Sequence, residues 1–171
     1  MRFSRARTLT AAVAVGILAA VAMTAPAFAA DRQRGLRNKE FSPADLGTGI
    51  AGSASEAWLR NVSLMEIFTI EDKGTYDGQP QVKIQNGYGR CLDSRGNHSA
   101  ESAWFLSCNS GDYQLWQIFT NGNGTRTYKN KGAWTQQGRH LCLASQGVNR
   151  AVIMQFCGST TGRQQWTEIA P

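Results

Sequence analysis

Four cysteines, two histidines and twelve acids hold whatever reactive chemistry this chain has. Cys91, Cys108, Cys142 and Cys157 could serve as nucleophiles, metal ligands or disulfide halves. A zinc site needs closely spaced ligands, yet no Cys-x-x-Cys pair occurs and His98 and His140 are the only imidazoles. In an exported chain, four cysteines read as two disulfides. Three connectivities are open. The repetition described below favours Cys91–Cys108 with Cys142–Cys157, one bridge inside each copy, each contributing roughly 3 kcal/mol by loop-closure entropy. All thiols are then spent. No Gly-x-Ser-x-Gly, His-Glu-x-x-His or phosphate loop is present, so the chain is expected to be no enzyme and to carry no metal or cofactor. A glycosidase carboxylate pair stays open, because spacing in sequence does not fix spacing in space.

The N-terminus supports export. Arg2, Arg5 and Arg7 precede an apolar run from Leu9 to about Met23, and Ala27-Phe28-Ala29 forms a small-x-small cleavage pattern. Residues 1–29 therefore read as a signal peptide cleaved near Ala29. The run is short for a membrane span, which needs about 20 residues, so a secreted, extracellular chain with no membrane span is expected. Loss of the three arginines lowers the formal charge from +6 to +3, too mild and too scattered to argue for nucleic acid. Residues 30–46 are polar and charged and read as a flexible tail. Residues 47–171 form one domain.

The elements that position these residues are repeated. Cys91-Leu92-Asp93, Cys108 and Gln114-Leu115-Trp116 recur as Cys142-Leu143-Ala144, Cys157 and Gln164-Gln165-Trp166, with offsets of 51, 49 and 50 residues. Short apolar runs separated by Asp77-Gly78, Asn86-Gly87 and Asn121-Gly122-Asn123-Gly124 predict an all-β barrel or sandwich. No sustained helical period follows the signal, and Val82–Gln85 and Ala133–Gln137 read as corresponding strands. A degenerate first copy aligns Ile67-Phe68-Thr69 with Ile118-Phe119-Thr120. That alignment places Met65 at the position of Trp116, Ser63 at that of Gln114 and Ala57 at that of Cys108. Three units, about 47–80, 81–130 and 131–171, suggest a closed pseudo-threefold barrel without exposed edges.

A Cys-Leu-Asp strand, a later cysteine and Gln-x-Trp, repeated, resemble the ricin B-type β-trefoil lectin domain. The resemblance covers about Gln81–Ile169 well and Gly49–Pro80 poorly. It implies a β-trefoil of twelve strands, disulfides within repeats, and shallow sugar sites, up to one per repeat. Trp116 and Trp166 are then core residues, as a symmetric core requires, and the glutamine beside each is a local hydrogen-bonding residue.

A sugar site needs a carboxylate or amide for paired hydroxyls and an aromatic ring for the apolar C–H face. The family's carboxylate follows Cys-Leu, which is Asp93 here. The family's stacking aromatic, two residues before the second cysteine, is replaced by Leu106, and the asparagine before Gln-x-Trp by Tyr113. Trp104 shares the strand side of Leu106 by period-two alternation. The carbohydrate-binding candidates are Asp93, Trp104, Tyr113 and Gln114; the alternative is that Asp93 caps the turn Asp93-Ser94-Arg95-Gly96. The third unit has Ala144, Gln155 and Arg163 at these positions and should hold no sugar site of the family's type. Trp134 and Tyr88 are candidate exposed aromatic contacts, with core packing the alternative for Trp134.

The expected function is that of a secreted, lectin-like protein with at most one family-type sugar site, holding a galactose-like or other hexose of a glycan weakly. The chain also resembles the ricin-like binding subunits of cytolethal distending toxins, which implies a protein-interaction trefoil partnering a toxin or hydrolase subunit. A third possibility, an inhibitor, would use a projecting loop at Asn121–Lys131.

Overall fold

The computed structural model describes residues 31–49, 55–61, 65–95, 98–158 and 161–171; the expected signal segment lies outside them. Among the described residues, twelve strands form one sheet. In chain order they are β1 (Arg32–Asn38), β2 (Asp45–Thr48), β3 (Ser55–Arg60), β4 (Phe68–Tyr76), β5 (Gln79–Gln85), β6 (Arg90–Asp93), β7 (Trp104–Ser107), β8 (Trp116–Thr120), β9 (Arg126–Asn130), β10 (Leu141–Ser145), β11 (Arg150–Phe156) and β12 (Trp166–Ile169). Among the described residues one α-helix, α1 (Lys131–Gln137), lies between β9 and β10.

The antiparallel pairings β1–β4, β4–β5, β5–β8, β8–β9, β9–β12 and β12–β1 close a six-stranded ring. Hairpins β2–β3, β6–β7 and β10–β11 cap one end. They meet through β3–β7, β3–β11 and the bridge Ser102–Ile153. This is a β-trefoil, with four strands per unit: residues 32–76, 79–120 and 126–169. The sequence repeat starts at the second strand of a unit, which is why the boundaries read from it fall late.

The core is built in triplets, one residue per unit. Leu46, Leu92 and Leu143 face Leu59, Phe105 and Met154 across the three hairpins. Phe68, Trp116 and Trp166 open the fourth strands, and all nine side chains are fully buried. The pairings Thr69–Gln85, Gln117–Lys129 and Thr167–Arg37 fix the alignment of the units. Phe68, not Met65, therefore occupies the place of Trp116, and Ile70, not Ile67, that of Ile118. Ala57 corresponds to Ala103 rather than to Cys108. The shift arises because the first unit's fourth strand starts 48 residues before β8, whereas the cysteine spacing suggests 51. Glu66-Ile67-Phe68 is thus the first unit's worn version of Gln-x-Trp.

Three further expectations are corrected. From residue 31 on, the stretch read as a loose tail over 30–46 is ordered into the sheet: β1 pairs with β4 and β12, and Leu36 is fully buried. The polar residues that disguise this strand are bound as well. Arg32 makes two hydrogen bonds of 2.9 and 2.8 Å to Glu168, and Arg37 makes two of 2.8 and 3.1 Å to Asp45. Second, Ala133–Gln137 belongs to a helix. The Asn130 side chain accepts from the Ala133 N–H at its N-terminus, and Gly138, at φ 64°, ends it in the left-handed conformation that glycine adopts without steric penalty. Third, Asn121–Lys131 does not project: a tight turn at 121–124 leads straight into β9.

The ring closes at β1–β12 around a charged knot. Glu168 accepts from Arg32, lies 3.2 Å from Arg126 and accepts from the Tyr128 hydroxyl at 2.8 Å. Burial raises the Glu168 pKa, but the hydrogen bonds from Arg32 and Tyr128 and the two arginine charges outweigh it and hold the group below the usual carboxylate value. Burial first, and then the Glu168 charge, pushes the Tyr128 hydroxyl well above its usual value, so it remains a donor.

Candidate functional site

Both cysteine pairs are bonded within their units, Cys91–Cys108 and Cys142–Cys157. The first unit uses charge at the corresponding place. The pairings Arg37–Asp45, Gln85–Cys91 and Lys129–Cys142 are equivalent, so the Arg37–Asp45 ion pair stands where the other units start a disulfide.

Gln114 and Gln164 are staples. Gln114 donates to the Ser107 carbonyl and accepts from the Asn109 N–H; Gln164 donates to the Phe156 carbonyl. Gln114 is fully buried, which removes it from the ligand-contact candidates. The indoles of Trp116 and Trp166 donate to the Leu92 and Leu143 carbonyls at 3.0 and 3.1 Å. Phe68 has no such donor and stacks on Phe105 instead. Asn130 and Asn38 donate to the carbonyls of Tyr113 and Arg163, holding the turn before each Gln-x-Trp.

Asp93 pairs directly with Trp104 across β6–β7, which puts the two side chains on one face of the hairpin. The equivalent pairs are Gly47–Trp58 and Ala144–Ile153, so only the second unit combines a carboxylate with an aromatic ring. Tyr113 is tied to the same place, since its carbonyl accepts from the Ser94 N–H. Its hydroxyl donates to Gln136. The structure thus brings Asp93 and Trp104 together, with the Tyr113 backbone beside them and its ring turned to α1.

The site is already partly occupied by its own chain. Asp93 is 6 % exposed and accepts from the Arg95 N–H, a two-residue turn cap with Arg95 at φ 52°. The exposed Arg95 lays its guanidinium over the Trp104 ring, 4.6 Å from the centroid. The turn-capping role of Asp93 is therefore realised, and an incoming ring would have to displace Arg95 to stack on Trp104.

Gly132 lets the Tyr113 ring pack closely on α1. A Cβ there would overlap the Tyr113 ring. Gly-to-Ala in a helix normally stabilises by about 1 kcal/mol; here overpacking costing about 1–3 kcal/mol should win. Gly132→Ala is expected to destabilise the protein in urea unfolding, and net stabilisation would contradict the close approach.

The exposed-aromatic candidates part company. Tyr88 is 79 % exposed. Trp134 is half-buried on α1, stacked on His140 at 4.1 Å, with the Lys129 ammonium 4.9 Å from its ring. Sequence reasoning missed Lys129, because a lysine on a strand carries no motif. Burial lowers its pKa, opposed by the more distant Asp77 charge. Burial, then the Lys129 charge, lowers that of His140.

Ring, caps and triplet core define a β-trefoil, and the Gln-x-Trp staples with their disulfides define its lectin-type variant. The model of the ricin-type beta-trefoil lectin domain matches residues 80–170, more than half of the chain, and the chain belongs to that family. No curated protein matches it. Among solved structures, the designed threefold-symmetric protein ThreeFoil superposes with a TM-score of 0.69 at 19 % identity, over 81 % of this chain and 99 % of that one. A Polyporus squamosus lectin, bound to a human-type influenza-binding epitope, gives 0.67 at 16 %, over 82 % of this chain and 49 % of its own. The cytolethal distending toxin of Actinobacillus actinomycetemcomitans gives 0.62 at 17 %, over 82 % and 92 %. At these identities the likeness is one of fold.

Proposed function

We propose that the chain is a secreted, non-catalytic carbohydrate-binding protein with one family-type sugar site, in its second unit. The observation that carries this reading is the Asp93–Trp104 pair, which neither other unit reproduces. Membership of a lectin family supports it. Asp93 takes ring hydroxyls, Trp104 covers the C–H face of a hexose once Arg95 swings into solvent, and Tyr113 borders the site. A single shallow site of this type gives weak binding, without the multivalent gain that lectins draw from repeating it in every unit.

Glycan-array binding of the mature chain tests this reading. Asp93→Ala should lower the signal about tenfold or more, the loss of a charge-assisted hydrogen bond. Arg95→Ala should raise it by uncovering Trp104. Equal binding by the native chain and Asp93→Ala would sink the assignment.

A second reading, a protein-interaction trefoil partnering a toxin or hydrolase subunit, is favoured by the exposed rings of Tyr88 and Phe156. Co-purification of a secreted partner, lost in Tyr88→Ala, would select it.

A further inference from the structure

The equivalent positions Arg37, Gln85 and Lys129 carry three solutions to one local environment. Arg37 is neutralised by Asp45, and Gln85 has no charge and donates to the sulfur of Cys108. Lys129 is a cation that is only 8 % exposed, and among the described residues its ammonium has no ion pair or hydrogen bond. Rings contact it instead: Trp134 at 4.9 Å and Phe119 at 6.0 Å. A covered charge without a counter-ion is costly in a folded protein. Asp77 acts on Lys129 only from beyond ion-pair distance.

Beside Lys129 opens a groove of about 650 Å³, lined by Phe119, Asn121, Thr127, His140 and Gln165 together with the Cys142–Cys157 bridge. That volume lies within the range of small-molecule sites. The lining offers an aromatic surface, two amides and a hydroxyl around one unmatched positive charge. Some of the polar groups are committed: Asn121 donates to Thr125 and Thr127, and Gln165 accepts from Asn123. The ammonium is not. The groove is built from β8, β9, the start of β10 and the turn before β12, at the junction of the second and third units, and shares no lining residue with Asp93–Trp104.

We infer that this groove is a second ligand site, which takes a sugar ring bearing a carboxylate or sulfate. The anion would rest on Lys129, the ring against Phe119, and the hydroxyls on the amides of Asn121 and Gln165. The first unit shows that the fold accepts this charge pairing, since Asp45 meets Arg37 there.

The test is an NMR titration of the mature chain with glucuronic acid, galactose 6-sulfate and neutral galactose, following the side-chain signals of Lys129, His140 and Trp134. Lys129→Gln is the comparison, because the second unit carries Gln85 at the same position and its melting curve verifies the fold. One or both acidic sugars should shift the groove signals, and the variant should bind at least about tenfold more weakly. Response to glucuronic acid alone assigns a carboxylate, and response to the sulfated sugar alone assigns a sulfate. Inorganic sulfate should compete in the native chain, and Asp93→Ala should leave these shifts unchanged, so this site and the one at Asp93 can fail separately. The inference is overturned by shifts as large with neutral galactose, by unchanged binding in Lys129→Gln, or by no shift with either acidic sugar.

Discussion

Trp166→Ala is expected to destabilise the whole domain by about 4 kcal/mol, the range for removing a buried tryptophan. The ring is fully buried at the foot of β12, and its indole N–H is spent on the Leu143 carbonyl. The loss combines apolar burial, an unfilled cavity and an orphaned carbonyl. Against a total stability of about 5–15 kcal/mol, that approaches unfolding. Trp166→Phe separates the contributions. Phe68 shows that the fold tolerates phenylalanine at this place in the first unit, where a 5.6 Å stack on Phe105 fills the space. The Phe variant should stay folded and lose about 1–3 kcal/mol, chiefly the hydrogen bond to Leu143 and its desolvation consequence. Guanidinium unfolding with unchanged m-value reads both. A loss below about 1 kcal/mol for the alanine variant would refute a core shared among the three units.

The second large effect lies at the ring's seam. Glu168→Ala leaves Arg32, Arg126 and the Tyr128 hydroxyl facing one another without their common acceptor. Breaking a buried pair from one side costs about 3–5 kcal/mol. Arg126 is 34 % exposed and can rehydrate, so a value near the lower end, about 3 kcal/mol, is expected. Acid reports on the same knot. The pKa of Glu168 is lower in the folded chain than in the unfolded one, so its stabilisation is complete above the unfolded value of about 4.3 and fades as pH falls through the folded one. Unfolding free energies measured from pH 6 downward should fall in the native chain and fall less steeply in Glu168→Gln. Parallel curves would show that Glu168 does not carry the linkage.

What could be read from sequence was what recurs. Two copies of Cys-Leu…Cys…Gln-x-Trp were enough for the disulfide pairing, the buried tryptophans and the trefoil. The first unit hid because each signature was replaced by a different chemistry. An Arg37–Asp45 ion pair stands in for a bridge, Glu66 for glutamine and Phe68 for tryptophan. β1 hid for a related reason: its seven residues contain one leucine and three arginines, and the acids that bind Arg32 and Arg37, Glu168 and Asp45, lie outside the strand. The helix α1 is two turns long, too short for a period to declare itself, and Asn130 and Gly138 were its only marks. At the candidate site, the residue types were legible but their commitments were not. No local pattern shows that Gln114 is fully enclosed, that Arg95 lies on Trp104, or that Lys129 lacks an acid.

The β1–β12 seam also sets a timetable. A ribosome releases β1 first and β12 last, and Arg32 and Glu168 stand 136 positions apart. Until β12 emerges, β1 can pair with β4 but the edge that β12 will take has no neighbour. Contacts this distant are entropically expensive to form and belong to slow-folding topologies. Maturation therefore ends with the last strand docking against the first, and a chain cut short before Trp166 would display an open β1 edge able to recruit strands from other molecules.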